Sequence, residues 1–471
     1  MRCVLVLVAV TAMACGAPVP APPAQPAPPA PDPALPSELV EEVTGDGAFT
    51  HLTELQRIAD ANNGNRALGT PGYDASVDYV AGVLRGAGYD VQTPTFSARR
   101  FEVRQEQLVV DGEQVPVSAL GFSPTTPEGG VTGTLTLMVG EGCNPADAAA
   151  VTPGSVALVR RGTCPFAQKA AHAATAGAAS LIVINNEDRP LDDGTLGESA
   201  TRVVPAGGVS RSAGDALAGR AGANVTLTLV TTTQETPSRN VLAQTRSGNP
   251  DEVVVAGAHL DSVPEGPGVN DNGSGVATLL ETAVRLGANP PVTNAVRFAF
   301  WGAEETGLVG STTYVQGLSE EDRNRIALYL NLDMVGSPNA GYLVYDGDDS
   351  DREGDGPGPR GSAAIERALV EGLAAAGVQS AGTDFSGRSD YGPFIARGIP
   401  SGGLFTGAEE VKSAEEAQRW GGTAGEAYDR CYHQACDRLD TIDRTAVDRN
   451  TDAFAAALAR FALSTDELAT G

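Results

Sequence analysis

The sequence predicts an α/β protein with a mostly parallel open sheet flanked by helices, into which a β-rich α+β segment is inserted. From Pro237 onward, short apolar runs alternate with helical patterns, and such alternation is typical of parallel sheets. Between about Phe101 and Thr233 the sequence pattern changes to short strand-like runs separated by glycine turns. A chain of 471 residues, 41% of them apolar, is long enough for two domains with sizeable cores.

The chain therefore divides into five predicted segments. The first 14 residues are a signal peptide, and residues 15–36 are a Pro/Ala-rich linker. Residues 37–104 begin the helix-flanked domain, residues 105–235 form the inserted domain, and residues 236–465 complete the first domain and carry the functional site.

The N-terminus has the pattern of an exported protein. Arg2 precedes an apolar run over residues 4–10 that is too short to span a bilayer, and an A-x-A cleavage pattern follows at residues 12–14. Cys15 then becomes the first mature residue, the position that carries the lipid in bacterial lipoproteins. Once Cys3 is removed, acylation of Cys15 leaves an even number of cysteines for disulfides. We therefore favour a lipid anchor at the bacterial cell envelope over plain secretion after the same cleavage.

The linker and the net charge limit the partners of the protein. The tail from Pro18 to Pro36 is almost entirely Pro and Ala, so it cannot form a core and favours extended polyproline II. The formal net charge of −27 comes from 59 acidic and 32 basic residues, and it argues against nucleic acid and anionic membrane surfaces as partners. We expect a monomer that meets a membrane only through its lipid.

Helices are predicted at the start of the first domain, and strands in the insertion. Apolar stripes with helical spacing cover residues 52–59 and 77–84, with a loop over residues 66–73 between them. His172 lies in an Ala-rich helix of the insertion and is interpreted as a structural or surface residue. Cys143 and Cys164 each lie beside a turn, and we expect them to pair in an exported protein. The predicted strands of the insertion are residues 135–139, 156–159 and 181–184.

Metal-binding side chains follow the predicted strands of the C-terminal part. Parallel sheets bind ligands outside the carboxyl ends of their strands, so these side chains are expected to meet at one edge. Any one of them alone is more often a packed or solvated residue, and it is their joint occurrence that indicates a site. They are His259 after residues 253–258, Glu304 and Glu305 after residues 295–301, and Asp333 after residues 326–332.

With two further motifs, these residues provide the ligands that a two-zinc site needs. Zinc takes imidazole nitrogen and carboxylate oxygen, and two zinc ions close together need a shared ligand. Asp271 is the expected bridge because it lies in a tight Asn-Asp-Asn-Gly turn before a helix. Asp261, two residues after His259, is expected to accept the proton of the second ring nitrogen. Glu304 stays free to act as the general base. The five predicted ligands are His259, Asp271, Glu305, Asp333 and His433.

Two resemblances follow from these motifs. Residues 154–166, with the apolar strand at 177–184, resemble a protease-associated domain. Residues 237–465, with the N-terminal helices, resemble the secreted di-zinc aminopeptidases, a family that includes glutamate carboxypeptidases and transferrin receptors. The resemblance implies the zinc exopeptidase fold and two zinc ions. It assigns His259 and Asp333 to one zinc, Glu305 and His433 to the other, Asp271 to the bridge, Glu304 to the base, and Tyr432 to stabilisation of the tetrahedral intermediate.

The resemblance also implies a substrate pocket and a second disulfide. Residues 386–394, which include Arg388, and residues 403–407 match family segments that line the pocket. Phe405 is the candidate wall for an apolar side chain, with core packing as its ordinary alternative. Cys431 and Cys436 bracket the histidine ligand, as a family disulfide does.

Calcium is a further possibility that the resemblance raises. Some family members bind calcium near the last helix, where this chain has Asp448 and Asp452 one turn apart. Like charges at this spacing repel unless a cation lies between them. We favour an ordinary acidic helix surface for these two residues.

The implied function is hydrolysis of N-terminal residues, apolar ones in particular, from peptides by metal-activated water. A carboxypeptidase with the same metals is the closest alternative, but it needs a basic pocket for a terminal carboxylate, and no Arg cluster follows Glu305. A non-enzymatic receptor would tolerate the loss of ligands, whereas all five are present here. A glutaminyl cyclase needs only one zinc.

Overall fold

A computed structural model describes residues 29–469 of the protein, apart from residues 192–193, 198–199, 353 and 355. The predicted signal peptide, the predicted lipid-anchor residue Cys15 and most of the linker lie outside the described residues. No helix in the described part of the chain is long and apolar enough to cross a membrane.

Two eight-stranded mixed sheets and the helices around them form the fold. The helices are α1 (Leu35–Glu42), α2 (Gly45–Ala61), α3 (Pro71–Gly86), α4 (Phe166–Thr175), α5 (Arg211–Ala218), α6 (Gly273–Leu286), α7 (Val309–Gly317), α8 (Glu320–Asn324), α9 (Ser362–Ala375), α10 (Tyr391–Ile395), α11 (Ala414–Trp420) and α12 (Arg444–Leu463). The strands are β1 (Asp90–Gln92), β2 (Thr95–Val110), β3 (Glu113–Val115), β4 (Ser118–Ala119), β5 (Val131–Leu137), β6 (Val156–Arg160), β7 (Ser180–Ile184), β8 (Ala206–Val209), β9 (Asn224–Arg239), β10 (Val241–Gln244), β11 (Asn249–His259), β12 (Asn294–Trp301), β13 (Ile326–Leu332), β14 (Leu343–Tyr345), β15 (Ala381–Thr383) and β16 (Ser401–Phe405).

The first sheet carries the predicted strands of the C-terminal part. Its strand order is β1-β10-β12-β11-β13-β16-β14-β15, and the four strands from β12 to β16 in this order run parallel. One face packs against α1, α3, α6, α9 and α12, and the other against α7 and α10. Because both faces of β11, β12 and β13 are covered, these strands read as continuous apolar runs rather than alternating ones.

The second sheet belongs to the predicted insertion. Its strand order is β3-β2-β9-β5-β6-β7-β8-β4, with β5 to β8 parallel and its two faces covered by two separate apolar clusters. The disulfide between Cys143 and Cys164 is present, with the two Cα atoms 5.6 Å apart. His172 lies in α4, and its Nδ1 is 2.9 Å from the carbonyl oxygen of Gly142, so the residue is structural, in agreement with its interpretation from sequence.

A long antiparallel ribbon of β2 and β9 joins the two sheets, and we did not predict it from sequence. The ribbon pairs Thr95 with Arg239 at one end and Val110 with Val225 at the other. The predicted domain boundaries, at 104/105 and 235/236, both fall inside it. Much of β2 is exposed, and its exposed positions carry polar and charged residues. The strand therefore lacks the clear alternation of apolar residues on which strand prediction depends.

Candidate metal centre and active site

The parallel strands bring the candidate site residues to one edge of the first sheet. His259 ends β11 and is paired with Trp301, the last residue of β12, so Glu304 and Glu305 follow at the same edge. Gly257 of β11 is paired with Asn331 of β13, so Asp333 follows there as well. The register therefore brings together residues up to 74 positions apart in sequence, as predicted.

Asp271 reaches this edge from the turn before α6. Asn272 caps the helix with its side chain, whose Oδ1 accepts the N–H of Gly275 at 3.0 Å. The Asn272 side-chain amide also donates to the carbonyl oxygen of Leu332 at 2.9 Å, and its Oδ1 accepts the N–H of Met334 at 3.2 Å. The turn that presents Asp271 is thus fixed to both neighbours of Asp333.

The carboxylate of Asp271 faces two different histidines. Its Oδ1 lies 3.2 Å from His259 Nε2, and its Oδ2 lies 3.2 Å from His433 Nε2. Asp333 Oδ1 is 3.4 Å from His259 Nε2, and Glu305 Oε2 is 3.0 Å from His433 Nε2. The donors therefore form two groups of three that share Asp271, each compact enough to surround one cation.

Buried donor atoms in these groups support a cation as their partner. His259 Nε2, Glu305 Oε1 and Asp333 Oδ1 are buried and form no hydrogen bond with any residue that the structure describes. Buried polar atoms are normally paired, so a group of them that converges without partners is unusual. Imidazole nitrogen and carboxylate oxygen are the donors that zinc prefers, and the set therefore fits zinc.

The pKa shifts of the site residues also indicate a site for positive charge. Burial lowers the pKa of the His433 ring, but Glu305 and Asp271 outweigh burial and raise it to about 11. Burial and the nearby carboxylate of Asp271 raise the pKa of Glu305 to about 7, although His433 opposes the shift. Burial by itself would raise the pKa of Asp271, yet the imidazoles of His259 and His433 hold that pKa well below the usual range. The cavity thus stabilises positive charge among its carboxylates, whether that charge is a proton or a metal ion.

Glu304 lies beside both groups but belongs to neither. Its Oε2 is 3.9 Å from His259 Nε2, whereas the carboxylates of the two donor groups lie 3.0–3.4 Å from their imidazole nitrogens. Burial, with a further contribution from the neighbouring Glu305, raises the pKa of Glu304 well above the ordinary value of a glutamate despite the opposing effect of His259. A buried carboxylate with a raised pKa, next to a cation site, suits the transfer of a proton.

Asp261 occupies the predicted position, but its side chain does not do what we predicted. The Nδ1 atom of His259 lies 3.1 Å from the backbone carbonyl oxygen of Asp261 and 3.9 Å from its carboxylate. The tight turn after β11 brings the carbonyl back to the ring. The carboxylate instead accepts the backbone N–H groups of Glu304, at 3.1 Å, and Glu305, at 3.3 Å. Asp261 therefore connects the His259 strand end to the turn that carries both glutamates.

Ser389 contacts a candidate ligand directly, and we did not single it out from sequence. Its hydroxyl donates to Asp333 Oδ2 at 2.5 Å and accepts the side-chain N–H of Asn331 at 2.9 Å. Oδ1 of Asp333 is left to face His259. Ser389 lies within residues 386–394, which resemble a pocket-lining segment, but a serine in a loop has no sequence feature that would mark this contact.

Two further residues hold the backbone around Asp271. The carboxylate of Asp437 accepts the N–H groups of Asn270, at 2.7 Å, and Asp271, at 3.0 Å. The fully buried guanidinium of Arg66 donates to the carbonyl oxygens of Pro267, at 3.0 Å, and Gly268, at 2.6 Å. Asp437 directly follows Cys436, which is the one sequence feature that could have drawn attention to it.

Tyr432 and His433 are held by the second disulfide. Cys431 and Cys436 are bonded, with their Cα atoms 5.2 Å apart. His433 has a left-handed backbone with φ 56°, and the Tyr432 ring stacks on the imidazole at a centroid distance of 3.9 Å. Burial raises the pKa of the Tyr432 hydroxyl far above its ordinary value, so it stays protonated and able to donate.

A cavity of about 200 Å³ opens beside the donor groups. Both predicted pocket residues, Arg388 and Phe405, line it together with Tyr432. The guanidinium of Arg388 is 3.3 Å from the Tyr432 hydroxyl and 2.9 Å from Glu409 Oε1. The cavity is thus continuous with the donor groups and has room for a single amino-acid side chain.

The two acids of the last helix do not join a donor group. Asp448 Oδ1 accepts the N–H of Gly45, at the start of α2, at 3.0 Å. In the described part of the chain, neither Asp448 nor Asp452 belongs to a group of three potential ligand atoms. The positive end of α2 therefore already provides a partner for one of the two charges.

A parallel sheet with imidazole and carboxylate donors at its strand ends, and with a proton-transferring glutamate beside them, defines a metal-dependent hydrolase. Comparison with known proteins specifies the family. The family model for peptidase family M28 matches residues 240–458, and that for the PA domain matches residues 131–217. The chain belongs to peptidase family M28, and both resemblances predicted from sequence are confirmed.

Relatives that match nearly the whole chain are named as aminopeptidases. The chain is 52% identical over 431 residues to the protein named "Probable lipoprotein aminopeptidase LpqL" of Mycobacterium tuberculosis, covering 90% of this chain and 86% of that protein. It is 46% identical over 440 residues to an aminopeptidase of Pseudomonas aeruginosa, covering 89% and 82%.

Two solved aminopeptidase structures share the fold of this chain. The aminopeptidase from Aneurinibacillus sp. strain AM-1 superposes with a TM-score of 0.76 at 27% identity, over 91% of this chain and 96% of that one. BSAP, a zinc aminopeptidase from Bacillus subtilis, superposes with a TM-score of 0.66 at 26% identity, over 90% and 96%.

Proposed function

We propose that this protein is a two-zinc aminopeptidase that removes one residue at a time from the N-terminus of peptides. The observation that carries the proposal is the placement of Asp271, whose two oxygens each lie 3.2 Å from a different histidine. One carboxylate shared in this way would suit a pair of zinc ions about 3.5–4 Å apart.

The proposed ligands follow from the two donor groups. His259 and Asp333 would hold one zinc ion, Glu305 and His433 would hold the other, and Asp271 would be shared between them. The chemistry that bound zinc supplies is polarisation of the scissile carbonyl and a lowered pKa of the attacking water. Glu304, buried beside the donor groups, is placed to accept a proton from the attacking water and to deliver it to the leaving amine. The Tyr432 hydroxyl donates a hydrogen bond to the oxygen on which negative charge develops.

The cavity suits a free amine better than a carboxylate. Arg388 is the one arginine or lysine among the described residues that line it, and its charge is already matched by Glu409, at 2.9 Å, and by Glu410, at 3.6 Å. A carboxypeptidase would need an unmatched cation for the terminal carboxylate of its substrate. Glu304 and Asp333 instead offer carboxylates to a protonated α-amine, and Phe405 offers a wall to an apolar first side chain.

Hydrolysis of leucine p-nitroanilide and of its N-acetylated form tests the proposal. We expect rapid cleavage of the first and no cleavage of the second, with activity lost to a chelator and restored by zinc. Elemental analysis of the active protein should give two zinc ions per chain. Cleavage of both substrates at equal rates, or release of residues from the C-terminus of a peptide, contradicts an aminopeptidase.

We also propose that the mature protein is a monomer anchored at the cell envelope through Cys15. The name of the Mycobacterium tuberculosis relative and the two disulfides support export to the envelope. Labelling of the expressed protein with a radioactive fatty acid should be abolished in Cys15→Ser. Labelling that persists in the variant contradicts the anchor, and gel filtration of the unlipidated protein tests the monomer.

A further inference from the structure

A buried carboxylate that the proposed function does not use joins two segments of the metal centre. Asp429 is 2% exposed and lies just before the disulfide loop, residues 431–436. Its Oδ2 accepts the side-chain N–H of Asn270 at 2.6 Å, and its Oδ1 accepts the backbone N–H of Cys431 at 2.8 Å. Each oxygen of Asp429 therefore holds a different segment of the chain.

Both of these segments present candidate metal ligands. Asn270 directly precedes Asp271, the carboxylate that the two donor groups share. The disulfide loop carries Tyr432 and His433, and the imidazole Nε2 lies 3.2 Å from Asp271 Oδ2. A single side chain, that of Asp429, thus connects the turn that presents the shared ligand with the loop that presents the histidine of the second donor group.

The hydrogen bonds of Asn270 fix which end of its side-chain amide faces Asp429. Its Oδ1 accepts the backbone N–H of Gly336 at 3.1 Å, so its Nδ2 must point towards Asp429 and towards the Ser337 hydroxyl, which is 3.1 Å away. Asn270 is fully buried, and a buried donor that loses its acceptor keeps the whole cost of desolvation. The contact with Asp429 is therefore specific for a donor on Asn270 and an acceptor on its partner.

Asp437 holds the same turn from the other end of the disulfide loop, but it acts differently. Its carboxylate accepts the backbone N–H groups of Asn270 and Asp271, and it contacts no side chain of the turn in these bonds. Asp429 instead joins a side chain of the turn to the backbone at Cys431. Removal of the Asp429 carboxylate would leave the turn in place and separate it from the start of the loop.

We infer that Asp429 is a positioning residue of the metal centre, which couples the placement of Asp271 to that of His433 through Asn270. The inference rests on the proposed function, in which Asp271 and His433 bind the same zinc ion. Ligands that are held at the correct separation before the metal arrives need less ordering when it binds. Contacts behind metal ligands typically change metal affinity by about 10- to 100-fold.

Exchange of the two side chains tests this link. In Asp429→Asn the oxygen is needed by Cys431, so an amide N–H faces that of Asn270, and in Asn270→Asp two carboxylates face each other. The double variant restores one donor and one acceptor in reversed positions and keeps the net charge. We expect each single variant of the purified full-length protein to bind zinc about 10- to 100-fold less tightly, measured by competition with a chelator.

The double variant should bind zinc about tenfold more tightly than either single variant, within the range of coupling between residues in contact. The recovery is partial because the Ser337 hydroxyl loses the amide donor of Asn270. Asp429→Ser places no second amide beside Asn270. It should show the same loss of zinc affinity and replaces Asp429→Asn if that variant does not fold.

Asn294→Asp is the matched control, because it makes the same change of amide to carboxylate at a buried site far from the ligands. Asn294 begins β12, at the opposite end from Trp301, and its side-chain N–H donates to the carbonyl oxygen of Phe461 at 2.9 Å. This variant should lose thermal stability and keep the zinc affinity of the wild type.

Three results would overturn the inference: unchanged zinc affinity in the Asp429 variants, a loss of affinity equal to that of the control, or a double variant that binds zinc no better than the single variants. Failure of the wild type to bind zinc would count against the proposed function itself. Equal zinc binding by the wild type, both single variants and the double variant would count against the role of Asp429 alone.

Discussion

The hydroxyl of Ser389 lies 2.5 Å from Oδ2 of Asp333, and this contact decides which oxygen of the aspartate faces the metal centre. Oδ1, which has no hydrogen bond among the described residues, then points at His259. Asn331 donates to Ser389 at 2.9 Å and accepts from Tyr329 at 3.1 Å, so a buried chain of hydrogen bonds extends from the sheet to the metal centre. Such outer contacts set the orientation of ligands and therefore the affinity for metal.

Removal of this hydroxyl should weaken metal binding. We expect Ser389→Ala to bind zinc about 10- to 100-fold less tightly, the usual cost of losing a hydrogen bond to a metal ligand, measured by competition with a chelator. Ser386→Ala is the control, because that hydroxyl lies 3.3 Å from Tyr391 Oη and not at a ligand. Equal zinc affinities for the two variants would show that Asp333 is oriented without Ser389.

The two adjacent glutamates should have different roles, with Glu304 as the proton carrier and Glu305 as a metal ligand. Glu304→Ala should retain two zinc ions and lose at least about 10²-fold in kcat, the lower range for the loss of a general acid–base group. Glu305→Ala should instead lose zinc from the His433 side, because Glu305 Oε2 lies 3.0 Å from His433 Nε2. Metal content and kcat are measured on the same preparations. Two zinc ions in both variants would disprove this division of roles.

The disulfide next to His433 should matter for metal binding. Replacement of Cys431 and Cys436 by serine frees a loop that holds His433 at φ 56°, and we expect zinc affinity to fall by about tenfold, as when an oriented ligand loses its support. Replacement of Cys143 and Cys164 removes a disulfide of the inserted domain and serves as the control. That control should lose thermal stability but not zinc affinity. A loss of affinity that is equal in the two variants would contradict the local role.

Asp452 should reduce stability above its own pKa. Burial, reinforced by Asp448, raises its pKa from 3.8 to about 6. A carboxyl group with a raised pKa costs stability where it is ionised in the folded state, so stability rises as the pH falls from about 6 towards 3.8. We expect Asp452→Asn to stabilise the protein by up to about 1 kcal/mol at pH 7.5, discounted for its half-exposed position, and by nothing near pH 4.

Thermal unfolding at the two pH values measures this effect, and the same experiment tests calcium. Added calcium should leave the melting temperature of the wild type unchanged. A calcium-dependent rise that Asp452→Asn abolishes would show that a cation, not helix packing, balances Asp448 and Asp452.

The sequence by itself determined the fold class and the donor set. Short apolar strands that alternate with helices define the first sheet, and metal-binding side chains at the ends of those strands are expected to meet because parallel strands share an edge. The turn around Asp271 was also predictable, because Asn, Asp and Gly together before a helical pattern favour a tight turn. These inferences depend on local patterns, which a single sequence contains in full.

Only the tertiary structure decided how the donors are held. The sequence places Asp261 near His259. In the folded protein, however, the backbone carbonyl of Asp261 faces the His259 ring, and its carboxylate accepts the backbone N–H groups of Glu304 and Glu305. Ser389, Asp437 and Arg66 are distant from their partners in sequence, and no local pattern links them. A hydrogen bond between distant segments forms only when donor and acceptor are placed to within a few tenths of an ångström. Packing sets that placement, and the order of residues does not reveal it.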